Sequence, residues 1–119
     1  MIKAKLVFKT MPLSTNALYA NFGNRRLKTS KGRENTDEIG WEARNQYKGT
    51  PIESPVRLKI ALWWDNKRKH DIDNIKVLLD SLTGICWLDD GQITDLHITK
   101  GYDKENPRAE MEIYAEDTF

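Results

Sequence analysis

The segment from Val56 to Trp64 constrains the fold more than any other part of the chain. Apolar side chains occupy every second position of this segment, and Arg57 and Lys59 stand between them. Side chains of a strand point alternately to opposite faces of a sheet, so this pattern predicts a strand with one buried face. Residues 2–8 alternate apolar side chains with lysines in the same way, which predicts a second strand.

Two other segments follow the repeat of a helix. Ile39, Ala43 and Tyr47 lie four residues apart on one face of the first. Ser30 is a residue type favoured at the N-cap, so this helix is predicted to run from Ser30 to about Lys48. The spacing of the apolar residues indicates that the helix packs on a core with this face.

The second helix has the stronger signal. The i, i+3, i+4 and i+7 positions of an apolar helix face are occupied by Ile75, Leu78, Leu79 and Leu82. Gly84 follows at a position where helices commonly end on glycine. The sequence therefore predicts a helix that covers the sheet with this face and stops near Gly84.

The remaining segments complete a small α/β fold. Residues 92–100 and 109–115 are predicted to be strands joined into a hairpin by a turn at 101–108. Residues 12–30 are polar and basic, and are predicted to be a long loop that becomes ordered on a ligand. The order of elements predicts one domain over residues 1–119, with a mixed four-stranded sheet packed by two helices.

Composition excludes several classes of protein. The chain of 119 residues has no run of about 20 apolar residues, so no transmembrane helix is predicted. Its N-terminal segment lacks the apolar core of a secretory signal. Cys86 is the only cysteine, which excludes an internal disulfide and a cysteine-based zinc site and favours the reducing cytosol. We expect Cys86 to be buried as a small apolar side chain.

Positive charge is concentrated in two short stretches, although the formal net charge is only +1. Affinity for polyanions depends on the local density of lysine and arginine, so both stretches are candidate contacts to nucleic-acid phosphates. The alternative is that each is a solvated loop. The residues concerned are Arg25, Arg26, Lys28, Lys31 and Arg33 in the first stretch and Lys67, Arg68 and Lys69 in the second.

Two aspartates at the start of the second helix are the strongest candidates for chemistry. Asp71 and Asp73 are two residues apart, so an extended backbone points both carboxylates the same way. Their hard oxygens suit Mg²⁺ or Mn²⁺. The alternative is N-terminal capping of the helix, where aspartate is also favoured.

Other charged residues near this helix strengthen the metal hypothesis. Lys76 and Asp80 share a helix face with Asp73. Asp89 and Asp90 form another acidic pair after the helix. Acids flanked by basic residues indicate an anionic substrate bound through a metal, as in phosphodiester cleavage. Asp80 either orients Lys76 or a ligand, or is a solvated helix residue, and of these we favour the second.

The tryptophans and one histidine give weaker signals. Aromatic rings can stack on nucleic-acid bases. At strand and helix positions they more often belong to the core, which is the role expected here for Trp41, Trp63, Trp64 and Trp87. His97 lies in a predicted strand and is expected to be structural.

Taken together, these motifs resemble the RusA family of Holliday-junction resolvases, which occurs in phages and prophages. The resemblance extends over nearly the whole chain and is most specific from Asp71 to Ile93. It is carried by Pro12-Leu13-Ser14-Thr15-Asn16, Asp71-Ile72-Asp73-Asn74, Leu79-Asp80-Ser81-Leu82-Thr83-Gly84 and Trp87-Leu88-Asp89-Asp90-Gly91-Gln92-Ile93.

The resemblance implies a small α/β endonuclease that acts as a homodimer and introduces paired nicks into four-way DNA junctions with Mg²⁺ or Mn²⁺. By motif, Asp71, Asp73 and Asp90 would be the metal ligands, and Lys76 would assist at the phosphate or stabilise the charge that develops there. Two-fold symmetry suits this task, because two matching sites can cut two opposed strands.

The chain departs from the family pattern at two positions. Only Ile75 separates Asn74 from Lys76, where the family has two residues. One residue rotates a helix position by about 100°, so either the helix start has adjusted or Lys76 does not reach the site. His70 stands where the family often has arginine, and histidine is a weaker phosphate clamp at neutral pH.

Three alternatives remain open at this point. One is a non-catalytic dimer that binds branched DNA through a degraded metal site. Another is a flap- or fork-specific nuclease that uses the same acids. The third is a structural module stabilised by calcium, against which the flanking basic residues argue.

Overall fold

The computed structural model describes residues 2–13, 19–22, 25–68 and 74–115. Its elements follow the chain as β1 (Ile2–Phe8), β2 (Tyr19–Phe22), β3 (Arg25–Lys28), α1 (Ser30–Gln46), β4 (Val56–Trp64), α2 (Ile75–Leu82), a 3₁₀ turn (Asp90–Gln92), β5 (Ile93–Tyr102) and β6 (Arg108–Ala115). None of the described helices is long and apolar enough to cross a membrane.

Four strands form one mixed sheet in the order β1-β6-β4-β5. β4 runs antiparallel to β6 and parallel to β5, and β6 runs antiparallel to β1. The two helices pack on one face of this sheet and share its core. The predicted fold class, a mixed four-stranded sheet packed by two helices, is confirmed.

The core lies between the sheet and the helices. Along β4 every second side chain from Val56 to Leu62 is buried, whereas Arg57 and Lys59 are exposed. β6 shows the same alternation beside it. The apolar faces of α1 and α2 join the same cluster, in which the indole of Trp87 is completely buried. The alternation in the sequence therefore locates the core face of the sheet correctly.

The predicted hairpin between the last two strands is wrong, because β4 lies between β5 and β6. The connection through residues 103–107 crosses the end of β4, where the Asp103 N–H donates to the Trp64 carbonyl (2.8 Å). The observed strand order agrees with the burial of the two strands. β4 has a buried face along most of its length and takes an interior position, whereas β5 is largely exposed and takes the edge.

The loop predicted at residues 12–30 contains a separate two-stranded sheet. β2 and β3 pair antiparallel, from Tyr19 opposite Lys28 to Phe22 opposite Arg25. The ladder of an antiparallel pair is made of backbone hydrogen bonds, and the side-chain pattern of this polar stretch gave no sign of them. The prediction of an irregular loop over the whole stretch is therefore wrong.

Both helices lie close to their predicted limits. α1 begins at Ser30, but its N-cap is Thr29, whose Oγ1 accepts from the Gly32 N–H (2.9 Å). It ends at Gln46. Gly84 follows the C-cap of α2 with a φ of 91°, a left-handed conformation that glycine adopts without strain, as predicted.

Most of the side chains expected in the core are found there. Trp87 and Cys86 are completely buried, and Trp64 packs against the core while remaining partly exposed. Burial raises the pKa of the Cys86 thiol to about 12. The expectation is wrong for Trp63, which lies outside the core cluster with the Arg108 guanidinium over its ring, and for Trp41, which is 69% exposed. Two residues correspond to about 200° of helix rotation, so Trp41 lies on the side of α1 opposite the buried Ile39.

The other face of the sheet is open and carries charges of both signs. Lys5 Nζ lies 3.9 Å from Glu112 Oε2 across β1 and β6. The Arg57 guanidinium lies over the Tyr114 ring at 5.9 Å. His97 is exposed on this face and lines its groove. Because the charges compensate one another across strands, this face is not suited to a polyanion.

The free edge of β1 is covered by α1. The side-chain amide of Gln46 accepts from the Val7 N–H (2.8 Å) and donates to the Val7 carbonyl (2.7 Å). Glu42 accepts from the backbone N–H groups of Lys9 (2.7 Å) and Thr10 (3.1 Å). These side chains take the hydrogen bonds that a neighbouring strand would otherwise make. They therefore hinder this edge from pairing with another chain.

One arginine ties the connection after β5 to the sheet. The Arg108 guanidinium donates to Asp103 Oδ2 (2.8 Å), and its Nε lies 3.6 Å from Glu110 Oε2. The same guanidinium lies over the Trp63 ring at 5.1 Å, and the indole N–H donates to Glu110 (2.9 Å). The hydrogen bond from Arg108 holds the pKa of the Asp103 carboxyl below its usual value.

The variant Asp103→Asn tests this ion pair through pH. Because the folded-state pKa of Asp103 is lowered, the stabilisation is present above the unfolded-state value of about 3.9 and is lost as the pH falls through the folded-state value. We expect Asp103→Asn to have a lower free energy of unfolding than the wild type at neutral pH, with the difference shrinking in acid. Urea unfolding across this pH range measures it, and a pH-independent difference would contradict the assignment.

A methyl group at Gly101 would collide with Trp63. A Cβ built there lies 2.6 and 2.7 Å from two atoms of the indole, which Glu110 and Arg108 hold in place. We expect Gly101→Ala to lower the free energy of unfolding by about 1–3 kcal/mol through overpacking. Gly49→Ala is the matched control, because its Cβ meets nothing closer than 3.5 Å. Denaturant titration of both variants measures the difference, and equal effects would contradict the steric argument.

Candidate active site

The structure describes part of the predicted metal cluster. Asp71 and Asp73 lie outside the described residues, as do His70 and Lys69. Asn74 is the N-cap of α2, and its side chain makes no capping hydrogen bond. The capping role considered for Asp71 and Asp73 therefore lies outside the described residues and stays a prediction.

Lys76, Asp80 and Asp90 line one groove beside α2. The groove has a volume of ≈ 310 Å³, and its other walls are the apolar side chains of Ile75, Leu79, Leu96 and Ile98. α2, the 3₁₀ turn and β5 each contribute to it. Residues that are distant in sequence thus bring two carboxylates and one ammonium group to the same concave surface.

Asp80 lies beside Lys76 in this groove. Lys76 Nζ and Asp80 Oδ2 are 3.8 Å apart, one helical turn from each other, and both side chains are well exposed. An exposed pair of this kind contributes about 0.3–0.5 kcal/mol, so it biases the orientation of Lys76 without fixing it. The contact agrees with the less favoured of the two roles considered for Asp80, that of orienting the lysine.

Asp89 and Asp90 have different positions in the acidic turn. Asp90 lines the groove with Lys76. Asp89 precedes the 3₁₀ turn, and its carboxylate lies against Gly91, where Oδ2 is 3.0 Å from the place of a Cβ. Of the two acids, Asp90 is therefore the one that faces the described part of the groove.

A glutamine that sequence reasoning did not single out holds this turn. Gln92 Oε1 accepts from the backbone N–H groups of Leu88 and Asp89, both at 2.9 Å. Its Nε2 donates to the carbonyls of Ile52 (2.7 Å) and Ser54 (2.8 Å). The side chain thus connects the acidic turn to the segment that leads into β4. Its place in the motif, two residues after Asp90, was the signal that the sequence offered.

The basic residues lie in two regions. Arg25 and Arg26 are in β3, and Lys28, Lys31 and Arg33 lie near the start of α1. Arg33 is partly engaged, since its guanidinium donates to the Lys28 carbonyl (3.0 Å) and the Ser30 hydroxyl (3.3 Å). Lys67 and Arg68 follow β4 and are exposed.

The described donors near the motif suit a hard metal ion, although they do not complete a site. Within the described ranges, no three histidine, cysteine or carboxylate side chains are grouped closely enough to hold an ion. Asp80 and Asp90 line the groove, and Asn74 Oδ1 is buried with no hydrogen-bond partner in the described part of the chain. A buried carbonyl oxygen is costly to leave unpaired, and a cation can satisfy it. Carboxylate and amide oxygens fit Mg²⁺ or Mn²⁺ rather than a soft metal.

The fold and this groove define a small α/β protein whose carboxylates and lysine suit an anionic substrate. The model of the family described as endodeoxyribonuclease RusA matches residues 9–114, and the chain belongs to this family. The resemblance inferred from the motifs is confirmed.

One curated relative is similar over part of its length. A stretch of 67 residues is 37% identical to the crossover junction endodeoxyribonuclease RusA of Aquifex aeolicus (strain VF5), covering 54% of this chain and 52% of that protein. The chain thus matches about half the length of this relative.

Removing the Gln92 amide should loosen the acidic turn. Gln92→Ala deletes four hydrogen bonds and leaves partly buried backbone groups without partners, so we expect the free energy of unfolding to fall by about 1–3 kcal/mol. Asn45→Ala, at an exposed position of α1, serves as the control and should change it by less than about 0.5 kcal/mol. Chemical denaturation compares the two, and similar values would argue against the anchoring role.

Proposed function

We propose that the protein is a metal-dependent endodeoxyribonuclease that resolves four-way DNA junctions by paired, symmetric nicks, in DNA recombination and repair. Membership of the endodeoxyribonuclease RusA family over residues 9–114 supports the chemistry. The relative from Aquifex aeolicus carries the name crossover junction endodeoxyribonuclease, which supports the substrate. The observation that carries the proposal is that Lys76 and Asp90, which belong to two separate motifs, line one groove.

The metal ligands we propose are Asp71, Asp73 and Asp90, and the ion is Mg²⁺, with Mn²⁺ as a substitute. When bound, such an ion supplies Lewis-acid stabilisation of phosphate charge and lowers the pKa of water. Three carboxylates together would repel one another strongly without a cation. The motif indicated Asp90 as the third ligand, and the groove supports it over Asp89, because Asp90 lines the groove.

Lys76 is proposed to stabilise the negative charge that develops on the phosphate during cleavage. Its ammonium group lies in the groove, and Asp80 at 3.8 Å biases its orientation. The exposed ammonium group is accessible to a phosphate oxygen of the substrate, whose negative charge it would stabilise. The shorter spacing between Asn74 and Lys76 does not remove the lysine from the groove, which favours a catalytic protein over a degraded one.

Phosphate contacts outside the groove would position the DNA without reading its sequence. The cations proposed for this role are Arg25, Arg26, Lys28, Lys31, Arg33, Lys67, Arg68 and Lys69. A homodimer is part of the proposal, because two symmetric nicks need two sites related by a two-fold axis. Such an enzyme would act on DNA in the cytosol.

The variant Asp90→Asn tests the site. It keeps the shape of the side chain and removes its charge, so we expect nicking of a synthetic four-way junction in Mg²⁺ to fall by about 10²-fold or more while binding remains. Asp89→Asn is the matched control, since Asp89 does not line the groove, and it should retain activity within a few-fold. The assay also includes linear duplex, flap and fork substrates, which test specificity for junctions. A reaction with EDTA tests the need for a metal ion.

The other outcomes separate the alternatives. Tight junction binding by the wild type without nicks in Mg²⁺ or Mn²⁺ would identify a non-catalytic binding dimer. Preferential cutting of flaps or forks would identify a different structure-specific nuclease. If both aspartate variants lost activity equally, the assignment of Asp90 over Asp89 would fail.

A further inference from the structure

A second groove lies at the carboxyl ends of the parallel strands β4 and β5. It has a volume of ≈ 280 Å³ and is lined by Trp64, Asn66, Lys67, Arg68, Lys100, Gly101 and Tyr102. The described lining thus carries three cationic side chains and no carboxylate. Four other grooves among the described residues each include at least one carboxylate. This groove is therefore the most positive of the five.

Local contacts hold the cationic groove in shape. Asn66 Oδ1 accepts from the Arg68 N–H (3.0 Å), and Asn66 Nδ2 donates to Asp65 Oδ1 (2.9 Å). Lys67 Nζ lies 5.1 Å from the centre of the Tyr102 ring, a cation–π contact that directs the ammonium group toward β5. The loop after β4 thus presents its cations in a defined arrangement.

The cationic groove continues the candidate active site along β5. Leu96 and Ile98 line the active-site groove, and Lys100 is the next residue on the same face of the strand. The register with β4 also places Ile98 and Lys100 on the same face, since Ile98 lies opposite the buried Ile60 and Lys100 opposite the buried Leu62. Two residues of a strand span about 7 Å, so the two grooves are neighbours on one surface.

We propose that Lys100, together with Lys67 and Arg68, forms a phosphate subsite that binds the DNA backbone next to the cleaved bond. The subsite rests on the proposed function. It adds Lys100 of β5 to the residues proposed to contact DNA phosphates. The sequence gave no indication of Lys100, because it stands outside both basic stretches. Pairing of β5 with β4 brings it beside Lys67 and Arg68.

The salt dependence of binding tests the subsite. The affinity of wild type and Lys100→Gln for a fluorescent four-way junction is measured in EDTA, where no cleavage interferes, over a range of salt concentrations. A lysine bound to a phosphate contributes about one unit to the slope of log affinity against log salt, so we expect Lys100→Gln to reduce the slope by about 1 and to bind several-fold more weakly. Lys100→Arg keeps the charge and should restore the slope.

Lys59→Gln is the matched control, because Lys59 is exposed on the opposite face of the sheet and should leave the slope unchanged. Lys67→Gln, on the exposed loop, is expected to lower the slope as Lys100→Gln does. It replaces Lys100→Gln as the test of the subsite if that variant fails to fold. Wild-type slope and affinity in both variants, with junction cleavage intact in the wild type, would overturn the subsite and leave the proposed function standing. A wild type that neither binds nor cuts the junction would overturn both.

Discussion

The interior position of β4 is the constraint on which the rest of the structure depends. β4 is paired on both sides, with β6 antiparallel and β5 parallel, and its buried face anchors both helices. This leaves β5 at an edge, where the helices do not cover all of its core-side face. The exposed part of that face, around Leu96, Ile98 and Lys100, forms one wall of both grooves. The described grooves therefore form where the two helices leave part of the sheet uncovered.

The acidic turn at residues 89–92 and the side chain of Lys76 are held by different contacts. Gln92 accepts two hydrogen bonds from the backbone of the acidic turn and donates two to the segment before β4. Among the described residues, Lys76 has a solvent-exposed contact with Asp80. An anchored backbone suits a turn that carries a metal ligand, because the ligand must stay at a defined distance, whereas an exposed ammonium group suits contact with a phosphate of the substrate. The difference agrees with the roles we propose for Asp90 and Lys76.

Much of the fold could be predicted from local pattern. The buried side of each element is indicated by the alternation in β1 and β4 and by the apolar faces of α1 and α2. Gly84 indicates where α2 ends. The pairing of strands that are distant in sequence cannot be predicted from such local patterns. The insertion of β4 between β5 and β6, and the pairing of β2 with β3, depend on backbone hydrogen bonds that every residue except proline can donate.

For the site, the sequence by itself determined the chemical types: carboxylates, a lysine and basic stretches in the order that resembles the RusA family. It did not determine which of them meet. Tertiary structure alone decided that Asp90 rather than Asp89 lines the groove with Lys76, that Gln92 anchors the turn, and that Lys100 joins Lys67 and Arg68. The physical reason is that a groove is formed by residues far apart in the chain, whose distances are set by strand order and packing rather than by spacing in the sequence.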